Sequence, residues 1–328
     1  MRRNKSTVFH TALIGAGYWG SIIAKKLSCL TNKDIVIFDK KQKNCLTLKK
    51  KINNLTISYN LNSIFLNKNI KNIIFATPPE FNYKLILKAL NYKKNIFAEK
   101  PITKNIKQLK NLIKLSKKEN KVLMGGYIYL FNPFIRKIKK ILDQKKLGKL
   151  KFILMNRKNL GPIRNMVDAH LDLSSHDISI LKYFFKNKKL KIKIINKNCI
   201  LKKNISDISS IKLTINSLPC SLNSSWLHPE KERKIIIIGS KKMLVFDEMI
   251  DNKIKIYSKY ASYPDINFNK NDIFSNKARI HLGKTTNIKV KENDSLTKEI
   301  KHFIYCCNNN KKPITSGEFC FDVLKNLV

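Results

Sequence analysis

Short apolar runs and helically spaced apolar positions alternate through the first third of the chain. Val8–Ile14, Asp34–Phe38, Ile70–Ala76, Asn95–Ala98 and Val122–Met124 read as strands, and Ile57 with Tyr59 marks a further short one. Between them, Ser21–Leu30, Lys41–Lys51, Asn82–Leu90 and Ile106–Lys118 read as helices; in Ser21–Leu30 and Asn82–Leu90 the apolar residues recur three and four apart, the spacing of a helix with one buried face. Strands separated by helices predict a doubly wound α/β domain on a parallel sheet. Past about residue 127 the rhythm changes. A basic amphipathic helix, Phe134–Leu142, ends near Gly148; a strand, Lys151–Arg157, and a helix, Asp172–Phe185, follow. Then come Lys191–Ile195, Ser209–Ile215, Cys220–Trp226, Lys234–Ile238, Met243–Phe246 and Ile254–Tyr257, strands in series without intervening helices, which predict an antiparallel sheet. Thr297–Asn308 reads as a closing helix able to pack back on the body. The expected division is an α/β domain over 1–127 and an α+β domain over 128–328.

Composition changes that picture little. The 328 residues are 43% hydrophobic, enough for packed cores, and no apolar run approaches the roughly 18 residues of a membrane span. The start, Met1 to Lys5, is basic, but the apolar segment after it runs into a glycine turn and not a small-residue cleavage site, so it does not read as a signal peptide. The seven cysteines form no Cys-x-x-Cys pair, which points to scattered thiols, a reducing cytoplasmic compartment and no metal site. The net charge of +44 invites a nucleic-acid reading. Only seven of the 66 basic residues are arginine, however, and the lysines are spread along the whole chain among Asn and Ile. A reader of bases and phosphates draws on arginine's bidentate fork. Compositional drift toward A/T-rich codons accounts for the lysines without a dedicated nucleic-acid surface.

The chemistry begins at Gly15-Ala16-Gly17-Tyr18-Trp19-Gly20. This Gly-x-Gly-x-x-Gly follows an expected strand and opens an expected helix, the context of a dinucleotide-binding Rossmann fingerprint. Asp39 ends the second strand, nineteen residues past Gly20, where an acid accepts both ribose hydroxyls and repels a 2′-phosphate. NAD is therefore expected, and Lys40 and Lys41 directly after it keep NADP open. Thr77-Pro78-Pro79 and Glu99-Lys100-Pro101 close two further strands at the edge where ligands of such sheets bind. Alone, the first would be a rigid loop and the second an ordinary strand-to-helix turn.

In this order, Gly15–Gly20, Asp39, Ala76-Thr77-Pro78-Pro79 and Glu99-Lys100-Pro101 resemble the glucose-fructose oxidoreductase / inositol dehydrogenase (Gfo/Idh/MocA) family. Phe131-Asn132-Pro133, Leu147-Gly148-Lys149-Leu150 and Asp172-Leu173-Ser174-Ser175-His176-Asp177 continue the resemblance. Asn156–Arg164 and Ser225-Trp226-Leu227-His228-Pro229 look like members of nucleotide-sugar and surface-polysaccharide metabolism. Two positions depart from the pattern: Asn82 stands where members often carry a histidine, and Lys93 where a glycine is usual.

The resemblance implies an NAD-dependent dehydrogenase of a sugar or nucleotide sugar, transferring hydride between a ring carbinol and the nicotinamide, and a homo-oligomer. Gly15, Ala16, Gly17, Tyr18, Trp19, Gly20, Asp39, Thr77, Pro78, Glu99 and Lys100 would bind the cofactor. Lys100, His176 and Asp172 would be catalytic, with Lys100 on the reacting oxygen, His176 a proton acceptor and Asp172 orienting the hydroxyls or the base. Which of Lys100 and His176 moves the proton stays open, and the scheme requires the two to converge. Arg157, Asn159 and Arg164 would meet an anionic group such as a uronate carboxylate or a phosphate, and His170 would line the same site. Trp226 and His228 read as packing or as sugar contacts, with packing favoured for Trp226. The rival readings are an enzyme that recycles a tightly held cofactor, a cofactor-binding regulator without turnover, and a lysine-rich nucleic-acid binder.

Overall fold

A computed structural model describes residues 10–31, 33–186, 188–262 and 278–328. The basic start and the first two residues of the expected opening strand, Val8 and Phe9, lie outside the described residues. The chain divides into two compact units: Met1–Phe131 with Asp294–Asn326 and Val328, and Asn132–Asn293 with Leu327.

The first unit is built on six parallel strands, β1 (His10–Ile14), β2 (Ile35–Phe38), β3 (Leu55–Ile57), β4 (Ile70–Phe75), β5 (Asn95–Glu99) and β6 (Leu123–Gly126). Their order is β3-β2-β1-β4-β5-β6, the doubly wound arrangement with its reversal between β1 and β4. Helices α1 (Tyr18–Leu30), α2 (Gln42–Lys49), α3 (Leu61–Leu66), α4 (Pro79–Asn91) and α5 (Ile106–Lys118) connect the strands. Ile73, Ile74 and Phe75 are consecutive and all buried, as a strand covered on both faces requires. The short α3, which carries no clear apolar period, is capped by Asn60 accepting the Asn62 N–H at 2.8 Å. Lys94 is buried and donates its ammonium to Asn67 O and Ile70 O at 2.7 and 2.6 Å.

The second unit begins with α6 (Pro133–Asp143) and contains β7 (Leu150–Leu160), a five-residue π-helical turn (His170–Ser174) and α7 (Ser175–Phe184). Strands β8 (Leu190–Asn198), β9 (Ile208–Ile215), β10 (Leu218–Ser225), β11 (Leu227–Gly239), β12 (Met243–Asp247) and β13 (Ile254–Tyr257) follow. With β16 (Thr285–Asn287) they form an eight-stranded sheet ordered β16-β13-β12-β11-β7-β10-β9-β8, antiparallel except at β7–β10. A separate pair, β14 (Tyr260–Ser262) and β15 (Arg279–His281), is antiparallel. Register places Met155, Ile235 and Phe246 side by side on one face. Phe134 of α6 meets Phe246 there, with ring centroids 6.2 Å apart.

The first unit runs to Phe131 and not 127, and the larger difference from the expected division lies at the other end of the chain. The last two helices, α8 (Ser295–Asn308) and α9 (Gly317–Leu324), belong to the first unit and not to the sheet domain that precedes them. The reason is apolar surface at the free edge of the parallel sheet. Phe303 of α8 packs edge-on to Phe97 of β5, and Phe319 of α9 edge-on to Tyr127. Gly125 of β6 donates its N–H to Thr315 O at 2.8 Å, so the returning chain covers the edge strand. A Cβ on Gly125 would stand 2.4 Å from Cys320 Sγ, so a side chain there would displace α9. Among the described residues no helix is long and apolar enough to cross a membrane, and all seven cysteines are free thiols.

Candidate active site

The carboxyl ends of β1, β2, β4 and β5 bring the glycine loop, Asp39, Thr77, Glu99 and Lys100 to one edge of the parallel sheet. Gly15 has φ +100°, and a Cβ on it would lie 2.6 Å from Ala76 O. A Cβ on Gly20 would lie 2.0 Å from Gly15 O. Both glycines therefore let backbone meet backbone. Gly17 differs: nothing lies within 4 Å of its Cβ direction, so the loop is open there. Gly17 also caps α1 with no side-chain hydrogen bond, and no acid occupies the first turn. The free N–H groups of that turn and the open glycine fit a pyrophosphate, and Tyr18 stands exposed beside them.

Asp39 braces the loop. Its Oδ2 accepts the Ala16 N–H at 2.6 Å and its Oδ1 the Lys41 N–H at 2.7 Å. Each carboxylate oxygen keeps a further lone pair for a ribose hydroxyl. Thr77 donates its hydroxyl to Asn82 Oδ1 at 2.5 Å, and Asn82 is fully buried in the first turns of α4. This chain thus uses a short buried amide to anchor the Thr-Pro-Pro turn. Trp19 Nε1 donates to Glu99 Oε1, tying α1 to the end of β5. Burial pushes the Glu99 carboxyl up to about 7, against the Trp19 hydrogen bond and the nearby Lys100 charge, which hold it down. The Lys100–Pro101 peptide bond is cis.

In the second unit, Asp172 lies within the π-helical turn and His176 in the first turn of α7. Wide turns of this kind re-aim side chains and recur at functional sites. Both residues are half-buried. Arg164, largely exposed, donates from Nε to Asp172 Oδ2 at 3.2 Å.

The other expected substrate contacts are occupied within the unit. Arg157 is 4% exposed and donates through Nε and Nη2 to Asp177 Oδ1 at 2.9 and 2.8 Å. Strand alternation explains this: Arg157 shares a face with Ile153 and Met155, under α7, so its guanidinium needs a buried acid. Burial pushes the Asp177 carboxyl up despite the Arg157 charge. Asn159 donates to Gly161 O and accepts from Arg233 Nη2. His170 is 1% exposed, bonded through Nδ1 to Ser209 Oγ at 2.8 Å and through Nε2 to Leu327 O at 2.9 Å. The carbonyl can only accept, so Nε2 carries the proton and Nδ1 accepts from Ser209. Burial lowers the His170 pKa, consistent with a neutral ring. Trp226 is fully buried against Ala169 and Leu173, and His228 Nδ1 turns to Glu230 O at 2.8 Å.

Arg233 and Glu299 escaped the sequence reading, and Asp177 entered it only as the last residue of the Asp172–Asp177 motif, with no role of its own. Arg233 pairs in register with Arg157, and its charge also holds Asp177 down. Glu299 is fully buried, and its place on the apolar stripe of α8 was the sign of it that the sequence offered.

Residues 9–127 match the model of an oxidoreductase family, GFO_IDH_MocA, described as an NAD-binding Rossmann fold. The nucleotide-fold segment belongs to the Gfo/Idh/MocA oxidoreductase family. Myo-inositol 2-dehydrogenase of Thermotoga maritima is 21% identical over 177 residues, 52% of this chain and 53% of that protein. An NAD(+)-dependent scyllo-inositol 2-dehydrogenase of Bacillus subtilis is 26% identical over 34% of each. The chain thus spans about half the length of the first of these relatives and a third of the second. Solved structures share the fold over nearly the whole chain. UDP-N-acetylglucosamine 3-dehydrogenase GnnA from Acidithiobacillus ferrooxidans has a TM-score of 0.77 at 16% identity, covering 97% of this chain and 95% of that one. KijD10, a 3-ketoreductase from Actinomadura kijaniata in complex with TDP-benzene and NADP, has a TM-score of 0.78 at 15% identity, covering 96% and 94%. These likenesses establish the two-domain fold, a parallel Rossmann sheet followed by a mostly antiparallel one.

Proposed function

We propose that this protein is an NAD(P)-dependent oxidoreductase that transfers hydride between a ring carbinol of a sugar or nucleotide sugar and the nicotinamide. The observation that carries the reading is the edge of the parallel sheet, where an uncapped helix N-terminus, an open Gly17, a braced Asp39 and Lys100 stand together. The relatives named above include inositol dehydrogenases and a nucleotide-sugar dehydrogenase, which supports the substrate class.

The nicotinamide supplies the hydride acceptor, or donor in reverse. The α1 N-terminus and the backbone at Gly17 hold the pyrophosphate by their N–H groups. Asp39 receives the ribose hydroxyls while its hold on Ala16 keeps the loop closed. A 2′-phosphate would meet the same carboxylate, so NAD is the preferred form, and Lys40 and Lys41 lessen the penalty for NADP. Lys100 donates a hydrogen bond to the reacting oxygen and stabilises charge developing on it while His176 takes the carbinol proton, or Lys100 takes that proton itself; Asp172 orients the substrate hydroxyls or the base. A second copy of the chain is the proposed assembly partner.

The test is a fluorescence titration with NADH and NADPH, followed by turnover of a nucleotide-sugar panel that includes uronates. Binding with turnover of at least one member is expected. No binding of either dinucleotide would overturn the reading, and binding without turnover across the panel would favour a regulator that kept the cofactor fold.

A further inference from the structure

Helix α8 carries an acid on its buried side. Leu296, Ile300, Phe303 and Cys306 form that side, and Glu299 lies among them with no exposed surface. An unpaired carboxylate in such a seam is costly enough that it takes up a proton or finds a partner. Neither Glu299 oxygen makes a full hydrogen bond among the described residues. The Tyr127 N–H, which lies close enough to favour the charge, is already given to Gly125 O at 3.0 Å.

What faces Glu299 is the end of β5. Phe97 and Phe303 meet with ring centroids 5.7 Å apart. Residues two apart on a strand, and four apart on a helix, share a face. Glu99 therefore lies on the Phe97 side of β5 and Glu299 on the Phe303 side of α8, and the Glu99 charge reaches the Glu299 carboxyl. The Glu99 carboxyl fills the space above Gly126, 2.8 to 2.9 Å from where a Cβ would stand. Its Oε1 accepts from Trp19 Nε1, and its Oε2 from the Lys100 backbone N–H at 3.3 Å. The other titratable groups facing the pair are Lys100, Tyr127 and Cys320. Burial holds the Tyr127 phenol and the Cys320 thiol protonated, and His302 on α8 accepts the Ile314 N–H at 3.1 Å.

We propose that Glu99 and Glu299 share one proton and together position Lys100. With the proton on Glu299, its O–H donates to the Glu99 carboxylate, which keeps one negative charge next to Lys100. Trp19, Gly126 and Glu299 then hold the Glu99 carboxyl from three sides and so fix the turn into Lys100. Burial pushes both carboxyls up, and the Glu99 charge pushes Glu299 further. The pairing stands without any assigned reaction; only its consequence for Lys100 rests on the oxidoreductase reading.

Glu299→Gln keeps the shape and a donor but has no proton to lose. At neutral pH the wild-type protein should show a protonated-carboxyl infrared band that disappears in E299Q and persists at a shifted frequency in E99Q, where burial keeps the Glu299 proton but its acceptor is gone. Two carboxyls raised in the fold contribute stability that is present at low pH and lost as pH rises through their folded values. The wild-type melting temperature should therefore fall between about pH 5 and pH 9 more steeply than that of E299Q. Where turnover is found, E299Q loses the pair's second titration, so the step that titration gives the kcat profile disappears while KM stays unchanged. A packing role alone would not remove that step. Absence of the band in the wild type, or parallel melting curves, would overturn the pairing. The wild-type band decides the question even if E299Q fails to fold. Neither readout needs a substrate, so a failure of the oxidoreductase reading would be seen separately, as missing NADH binding.

Discussion

The buried pair of Arg157 and Asp177 separates two roles for an arginine that the sequence offers to an anionic substrate. Its side chains are 4% and 2% exposed, joined through two N–H donors to one oxygen at 2.8 to 2.9 Å. Removing one partner of such a pair costs about 3–5 kcal/mol, because the other is left buried and charged. The two single removals should not be equal. In Arg157→Met the orphaned carboxyl can take up a proton, and burial already favours its neutral form, so the loss is held to about 2–3 kcal/mol. In Asp177→Leu the guanidinium cannot shed its proton, and the loss should reach about 4–5 kcal/mol. The double variant replaces the pair by apolar groups of similar size and should come within about 2 kcal/mol of the wild type. Urea unfolding of all four proteins gives the cycle directly. The sign of its pH dependence is a further check. With Asp177 raised in the fold, its protonated form stabilises at low pH and is lost as pH rises, so R157M should be more stable at about pH 5 than at about pH 8. A D177L protein no weaker than R157M, or a double variant as weak as the sum of the singles, would refute the reasoning. If the double variant folds yet loses only substrate affinity, Arg157 has a ligand after all.

Other expectations follow from the nucleotide edge. Gly20→Ala puts a Cβ 2.0 Å from a backbone oxygen that has no free end to swing away. The overpacking, about 1–3 kcal/mol or more, exceeds the roughly 1 kcal/mol that alanine gains in a helix, so thermal melting should fall by several degrees and NADH binding with it. Asp39→Ala removes the acceptor of the Ala16 N–H, and a charged hydrogen bond is worth about 1.5–3 kcal/mol. NAD affinity should drop about tenfold or more, and NADP affinity less, by parallel fluorescence titrations; an equal drop would argue against a ribose contact. Lys100→Ala should lower kcat by about 100-fold or more while NADH binding stays near that of the wild type, and equal loss of both would contradict its assigned role.

Much of this was legible in the residue pattern because its causes are local. The alternation of apolar runs and helical periods marks all six parallel strands, and α5 spans Ile106–Lys118 as its periodicity predicts. Gly15, Gly20 and Asp39 are legible for the same reason: a tight turn and a strand-end acid are set within one βαβ unit. Helices α3 and α9 and strands β14, β15 and β16 went unread, since three to eight residues carry too little period to stand out. The partners of charged side chains could not be read at all. Arg157 shows its inward register along β7, but Asp177 meets it from another element twenty residues on. Thr77 finds Asn82 through the turn into α4, and His170 is bound by Ser209 and Leu327 far along the chain. Local patterning determined which segments became strands, which became helices, and where the phosphate turn lies. Only the tertiary structure decided that α8 and α9 return to cover β6, which arginine is spent on a buried acid, and that Glu99 and Glu299 share one seam, because burial and charge pairing depend on which distant surfaces meet.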